Sequence, residues 1–416
     1  MAESNPSPRI FLSAGEASGD YYGAQIIDEL RTRLPQLTCF GLGGTEMAVA
    51  GLDRIVRAED VAHMGITEVI RHMPRIYGEY RRLVASIKKR RPDVAILIDF
   101  PDVNFRLART LRKLNIPVVY FVSPQLWAWK RKRLRWVQQR VSRMMVIFPF
   151  EESFYRARNV DATFVGHPLA QLPLPDITRA EYATKYALDP AKNWIALLPG
   201  SRRKEVQLNL PEMLHAAAIL NAQGKYEFVI PVASTVNNSY LLNFLQDPIY
   251  YSATKPRVTL VDDAREALHH ARASIVASGT ATVQATVIGN PFIVVYRVSP
   301  FTFGLARRLI RYPLEIPTEK DKDGNLPIAM VNLVAGKRIV PELLQTRFTA
   351  ENVAATLAPL LADSPQREQM LIDLAEAHFK LLPASGSGSI FQVCDAVEAL
   401  LGQTPAASGR ISATSV

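Results

Sequence analysis

The sequence predicts an α/β protein built from two doubly wound domains, and three observations predict it. Short apolar runs rich in β-forming residues alternate with helix-patterned segments, the runs are near-continuous in their apolar character, and the alternation pauses once at a proline-rich stretch before starting again. Near-continuous apolar strands separated by helices indicate a parallel sheet covered on both faces. At 416 residues, 48% hydrophobic and 21% charged, the chain exceeds the size of a single growing core and carries enough apolar material for two.

In chain order, residues 1–8 are polar and read as a disordered N-terminus. The first domain spans 9–168, with strands expected at Arg9–Ser13, Thr38–Leu42, Val94–Ile98, Pro117–Val122, Met144–Phe148 and Ala162–Val165. Between them, Ser18–Leu34 places Tyr22, Ile26, Leu30 and Leu34 on one helical face, and Asp102–Leu114 opens on a good cap residue. A linker follows at 169–190, rich in proline, whose middle (Arg179–Leu188) has helical character. The second domain, 191–340, repeats the alternation with strands at Trp194–Leu198, Glu227–Val232, Arg257–Val261, Ser274–Ala277 and Pro291–Val298. Residues 341–402 read as C-terminal helices and 403–416 as a disordered tail. Two such domains in series are expected to face each other across a cleft.

Bulk chemistry narrows the function. Cys39 and Cys394, the two cysteines, form no disulfide framework and suit a reducing cytoplasm. The start of the chain lacks the basic and apolar pattern of a signal peptide, and no run reaches the roughly 18 apolar residues that span a bilayer. A net charge of +10 points to anionic partners: nucleic acid, phosphorylated metabolites or anionic lipid.

Ligands of parallel α/β sheets bind beyond the carboxyl ends of the strands, where helix N-termini offer free N–H groups to phosphate. In the second domain, Leu198-Pro-Gly-Ser-Arg202 follows the first strand: Gly200 allows close backbone approach, Ser201 can cap the next helix, and Arg202 can fork onto a diphosphate. Ala277-Ser-Gly-Thr280 repeats the strand–turn–helix pattern, with Ser278, Gly279 and Thr280 facing the same phosphates. Either turn alone has a purely structural reading. Two in one domain, one armed with an arginine, make a nucleoside-diphosphate site. The phosphate-gripping G-x-x-x-x-G-K-[ST] loop is missing, and Gly41-Leu-Gly-Gly-Thr-Glu46 has Glu46 at the third glycine position, which disfavours an NTPase and hydride transfer respectively. A leaving nucleoside diphosphate remains.

The first domain then holds the acceptor and a base. In Ser13-Ala-Gly-Glu-Ala-Ser-Gly-Asp20, Gly15 and Gly19 let a ligand approach, Glu16 is a carboxylate at the cleft, and Ser18 or Asp20 caps the helix. In Ile98-Asp-Phe-Pro-Asp102, Asp102 has a cap's position while Asp99 has no structural excuse, so Asp99 is the first candidate base and Glu16 the second. His63 and His167 are rivals, His167 lying at the domain crossover. No spacing resembles a metal site, and no cofactor is called for. Trp127-Ala-Trp129 leads into five cations, readable as nucleic-acid stacking, as a headgroup contact, or as a solvated basic helix with its tryptophans in the core. Met64–Met73, with Ile66 and Val69, is the better lipid-facing segment.

Nine stretches in order resemble the lipid-A-disaccharide synthase family: 14–20, 64–69, 99–104, 122–129, 165–168, 197–202, 277–281, 300–303 and 332–336. The resemblance implies a GT-B architecture, a UDP-2,3-diacylglucosamine donor and a 2,3-diacylglucosamine 1-phosphate acceptor. It also implies inversion with loss of UDP, no metal, and peripheral attachment to the inner face of the cytoplasmic membrane. Position by position it makes Asp99 the base, Glu16 an acceptor-side residue, and Arg202 and Asn332 donor-side residues; Asn332 rests on the resemblance alone. Two departures stand out: Gln284 occupies the place of a ribose-holding glutamate, and Tyr312–Ile328 is longer than the family's usual link to Asn332. A UDP-sugar epimerase or hydrolase of the same architecture is the alternative, and nucleic acid is not an expected partner. The oligomeric state stays open, a homodimer included.

Overall fold

A computed structural model describes residues 7–62, 66–233, 235–250 and 255–403, with the backbone alone for 61, 62, 66–74, 223 and 403. The chain divides into two compact units, Met1–Pro168 with Pro383–Val416, and Leu169–Leu382.

The first unit runs β1 (Arg9–Ala14), α1 (Ala17–Arg33), β2 (Thr38–Gly43), α2 (Thr45–Val49), β3 (Asp53–Arg57), α3 (Glu59–Ala62), α4 (Ile66–Arg90), β4 (Val94–Ile98), α5 (Pro101–Lys113), β5 (Val118–Phe121), α6 (Leu134–Arg140), β6 (Arg143–Val146), α7 (Pro149–Arg156) and β7 (Ala162–Phe164). Its seven strands are ordered β3-β2-β1-β4-β5-β6-β7, all paired in parallel. The inner strands β4 and β5 are buried along their whole length, which is why their sequences show no polar alternation.

The second unit runs α8 (Arg179–Tyr186), β8 (Asn193–Leu198), α9 (Arg203–Leu220), β9 (Tyr226–Pro231), α10 (Asn238–Gln246), β10 (Val258–Val261), α11 (Ala264–His270), β11 (Ala273–Ala277), α12 (Thr280–Ile288), β12 (Phe292–Tyr296), α13 (Pro300–Leu309), α14 (Met330–Ala335), β13 (Glu342–Leu344), α15 (Ala350–Leu361) and α16 (Pro365–Leu381). The order of its six parallel strands is β10-β9-β8-β11-β12-β13. The helical middle of the proline-rich stretch is α8, started by Thr178, whose hydroxyl accepts from the Glu181 N–H at 3.3 Å.

Helix α17 (Ser389–Gln403), the last described element, packs on α1, β4 and β5 of the first unit. Val393, Cys394 and Val397 enter that core, while Arg33 bonds Asp395 and Glu398 at 2.5 and 2.8 Å. Among the described residues no helix is long and apolar enough to cross a membrane.

Every strand read from the sequence is present, with ends shifted by no more than two residues. Two were not foreseen, and both are sheet edges. Strand β3 (Asp-Arg-Ile-Val-Arg) is half charged because only Val56 of its five residues is fully buried. Strand β13 is three residues long and lies inside the stretch expected to be helical.

Candidate active site

In each sheet the order reverses at one place: between β1 and β4 in the first unit, and between β8 and β11 in the second. Connections leave such neighbours in opposite directions, so their carboxyl ends open a crevice. The loops that leave these four strands carry Glu16, Asp99, Gly200 to Arg202, and Ser278 to Thr280.

Asp99 is the residue after β4, and its backbone is unusual. Asp99 and Phe100 both take left-handed conformations, with φ of 44° and 46°, and Val122, at the corresponding end of β5, has φ of 61°. Non-glycine residues in that region cost of order 1–3 kcal/mol each and persist only where their surroundings hold them. Here the hold is Asn104, buried on the first turn of α5. Its amide donates to the carbonyls of Asp99 at 2.7 Å, Ile98 at 3.1 Å and Ser13 at 3.3 Å, and its oxygen accepts from the Ser13 hydroxyl at 2.7 Å. The Tyr120 hydroxyl adds a 2.6 Å bond to the Asp99 carbonyl.

The Asp99 carboxyl is pushed up to about 7, first by burial and then by the negative charge of Glu16, against the pull of the Phe100 N–H. Glu16 itself is exposed and stands at the N-terminus of α1. Two carboxylates thus stand at one switch point, with the pKa of Asp99 pushed toward neutrality. Gly15 brings the two loops together: a Cβ there would lie 2.5 Å from the Phe100 ring. Both loop glycines therefore serve close protein packing, since Gly19 faces Ala14 and Ile98.

In the second unit Gly200 has φ of 121°, and a Cβ on it would meet Glu205 at 2.6 Å. Glu205, on the first turn of α9, turns back so that its Oε2 accepts from the N–H groups of Ser201 at 3.1 Å and Arg202 at 3.3 Å. A carboxylate thus sits on N–H groups of the kind that hold phosphate at a helix start. The Arg202 guanidinium is 73% exposed and 3.5 Å from Glu205. Buried Asn209 fixes the loop from below, donating to the Pro199 carbonyl at 3.0 Å. Helix α12 begins at Thr280 directly after Gly279, whose φ is 153°; its opening N–H groups lack intrahelical partners by construction. The Ser278 hydroxyl reaches the Ile328 carbonyl at 3.4 Å, and Gln284 is half-buried further along α12. Tyr296 ends β12, and its hydroxyl is pushed up first by burial and then by the charge of Glu205, against the pull of Arg202.

A family model described as lipid-A-disaccharide synthetase matches residues 10–385. The chain is 54% identical to the lipid-A-disaccharide synthase of Acidobacterium capsulatum, over 97% of this chain and 99% of that one. It is 50% identical to the Koribacter versatilis enzyme of the same name, covering 88% and 92%. This chain belongs to the lipid-A-disaccharide synthase family. It is a glycosyltransferase of GT-B type. The calicheamicin glycosyltransferase CalG4 shares the fold with a TM-score of 0.57 at 15% identity, covering 96% of this chain and 99% of that one. A UDP-GlcNAc 2-epimerase from Neisseria meningitidis bound to UDP-GlcNAc does so with a TM-score of 0.55 at 12% identity, covering 95% and 100%. Transferases and epimerases share this fold, so family membership, and not the fold, separates the two activities.

Several residues expected to act in this family member sit differently from their sequence reading. Neither Ser18 nor Asp20 caps α1: Glu16 holds the cap position, Ser18 is exposed on the first turn, and buried Asp20 instead accepts from the Gly44, Glu46 and Met47 N–H groups at 2.7, 3.0 and 3.2 Å, capping α2. Asp102 lies inside α5, after Phe100 at the cap, and pairs with Arg133 at 2.7 Å. Ser201 is likewise displaced as cap by Arg202, because Glu205 stands three residues beyond Arg202.

Trp127 does not face lipid. It is 1% exposed, edge-on to Phe150, and donates to Glu151 at 3.1 Å, so only Trp129, 46% exposed with Lys130 over its ring, reaches the surface. His63 and Met64 lie outside the described residues, and Ile66 and Val69 are described only as backbone of α4. His167 is buried against Phe148 and its pKa lowered to about 3 by that burial, which keeps it neutral.

Asn332 is buried and saturated: it donates to the Val340 carbonyl at 3.0 Å and Glu342 at 2.8 Å, and accepts from the Ile339 and Val340 N–H groups at 2.8 and 3.0 Å. Glu342 in turn accepts from the Ile328 and Ala329 N–H groups at 3.1 and 2.9 Å, so the pair holds the start of α14. Tyr120, Glu205, Asn209 and Tyr296 were not singled out from sequence. Of these only Glu205 had a local signal, its spacing from Arg202.

Proposed function

We propose that this enzyme transfers 2,3-diacylglucosamine from UDP-2,3-diacylglucosamine to the 6-hydroxyl of 2,3-diacylglucosamine 1-phosphate, with inversion. The observation that carries the reading is the Asp99 carboxyl, raised to about 7 beside Glu16 at the switch point of the first unit. A base with a pKa near the working pH is half ready to accept a proton and strong enough to pull it.

Asp99 takes the hydroxyl proton as the acceptor oxygen bonds to the anomeric carbon. The bond from that carbon to the diphosphate breaks, and its electron pair leaves with UDP. Arg202 and the starts of α9 and α12 meet the charge that develops on the diphosphate, which displaces Glu205 from the N–H groups of Ser201 and Arg202. Ser278, Gly279 and Thr280 line the diphosphate, Gln284 lies toward the ribose, and Asn332 acts on the donor side by holding α14. Both substrates are lipids, so the enzyme works as a peripheral protein on the inner face of the cytoplasmic membrane, with Trp129 toward the lipid.

The test is UDP release from UDP-2,3-diacylglucosamine in detergent, with and without acceptor, for wild type and Asp99→Ala. Acceptor-dependent release that collapses in the variant is the expected result. Release indifferent to acceptor would make the enzyme a hydrolase or epimerase, and an active variant would move the base to Glu16.

A further inference from the structure

Helix α13 buries none of its ten residues. It rests on the second unit through Phe303, Ala306 and Ile310, which are half-buried, and turns the opposite stripe outward. That stripe is apolar: Phe301, Leu305 and Leu309, spaced four residues apart, are 81, 47 and 57% exposed, and Leu314 beyond the helix is fully exposed. Arg308 falls on the same stripe, and Pro300–Arg311 contains Arg307, Arg308 and Arg311 with no acidic residue. A helix that packs through one face and directs large apolar side chains and a cation outward through the other has the design of an interfacial lipid contact. Arginines can lay their stems along the apolar surface and keep the guanidinium among phosphates.

We infer that α13 is a lipid-surface contact of the second unit, seating Phe301, Leu305 and Leu309 among acyl chains and Arg308 among anionic headgroups. The inference deepens the proposed function and rests on it for its biological sense. Helix α13 starts shortly after the carboxyl end of β12, the same sheet edge that carries Arg202 and Thr280. A donor whose sugar is acylated keeps its chains in the lipid while its diphosphate is gripped. The gripping edge therefore needs its own contact with the bilayer, separate from that of the first unit.

Flotation with phosphatidylethanolamine–phosphatidylglycerol vesicles, without substrate, tests it on wild type and on Phe301→Ser/Leu305→Ser/Leu309→Ser. The variant should bind at least tenfold more weakly, while acceptor-dependent UDP release in detergent stays within twofold of wild type. A second variant, Arg308→Gln, should weaken binding to these vesicles and leave binding to pure phosphatidylcholine unchanged. Equal vesicle binding by wild type and the triple variant overturns the inference. So does an equal loss of release in detergent, which would assign the stripe to the substrate site, or a wild-type dimer that the triple variant dissociates, which would assign it to a second copy. Because binding is read without substrate, a wild type that releases no UDP refutes the transferase reading alone.

Discussion

Replacing Asp99 by Asn should slow transfer severely and make the first unit more stable at pH 8, two effects of one cause. Burial and Glu16 raise the Asp99 carboxyl from 3.8 to about 7, a difference of roughly 3 units. At about 1.4 kcal/mol per unit the ionised form costs the fold up to about 4 kcal/mol. The side chain is partly exposed, and screening reduces that to about 2 kcal/mol. The sign follows from proton uptake: the folded state keeps a proton that the unfolded chain releases between about pH 4 and 7, so wild type loses this stability as pH rises through that window. The substituted amide has no proton to lose. The difference between variant and wild type should be small at pH 4.5 and grow to about 2 kcal/mol at pH 8, roughly 4–8 °C in the melting of a unit this size. Calorimetry at the two pH values reads it, and UDP release should fall about 10²–10⁴-fold in parallel. A variant melting at or below wild type at pH 8 would refute the assignment of Asp99 as a strained, desolvated base.

Glu16→Gln removes the charge that helps raise Asp99, so the acidic limb of the pH–rate profile should move to lower pH; an unmoved limb would leave burial as the whole cause. Arg202→Ala should cut turnover about 10²–10³-fold, the usual loss for one preorganised donor, and a near-normal rate would take it out of the mechanism. Glu205→Ala frees the N–H groups of Ser201 and Arg202, so UDP should bind about fivefold more tightly by calorimetric titration, at a cost of about 1 kcal/mol to α9.

The fold was legible where burial is two-sided. Strands such as Val94–Ile98 and Ala273–Ala277 are apolar at nearly every position because helices cover both faces, and no local alternative competes with that pattern. At the edges the constraint relaxes, and Asp53–Arg57 and Glu342–Leu344 went unseen. The site was legible to the extent that it lies in strand-to-helix turns: Glu16, Asp99, Arg202 and Thr280 all fall in the four loops at the two switch points. Caps were misread for different reasons: the Arg202 cap is set by a capping carboxylate three residues on, and the role of Asp20 is set by a tertiary contact. Asp20 looks like a cap for its own helix and serves another 24 residues away, and nothing local to it says so. Trp127 was ambiguous for a related reason: its partner Glu151 lies on α7, a different element of the sequence.

Asn104 and Tyr120 grip Asp99 only through its main-chain carbonyl, and their side chains take nothing from its carboxylate. The residue is anchored by one end and does its chemistry with the other. Gaining and releasing a proton therefore breaks none of these hydrogen bonds, and the frame has no reason to relax between turnovers. Ionisation therefore draws on solvation and charge and not on these bonds: the loop can keep its costly backbone geometry through the whole cycle, and the base returns to the same place each time it is emptied.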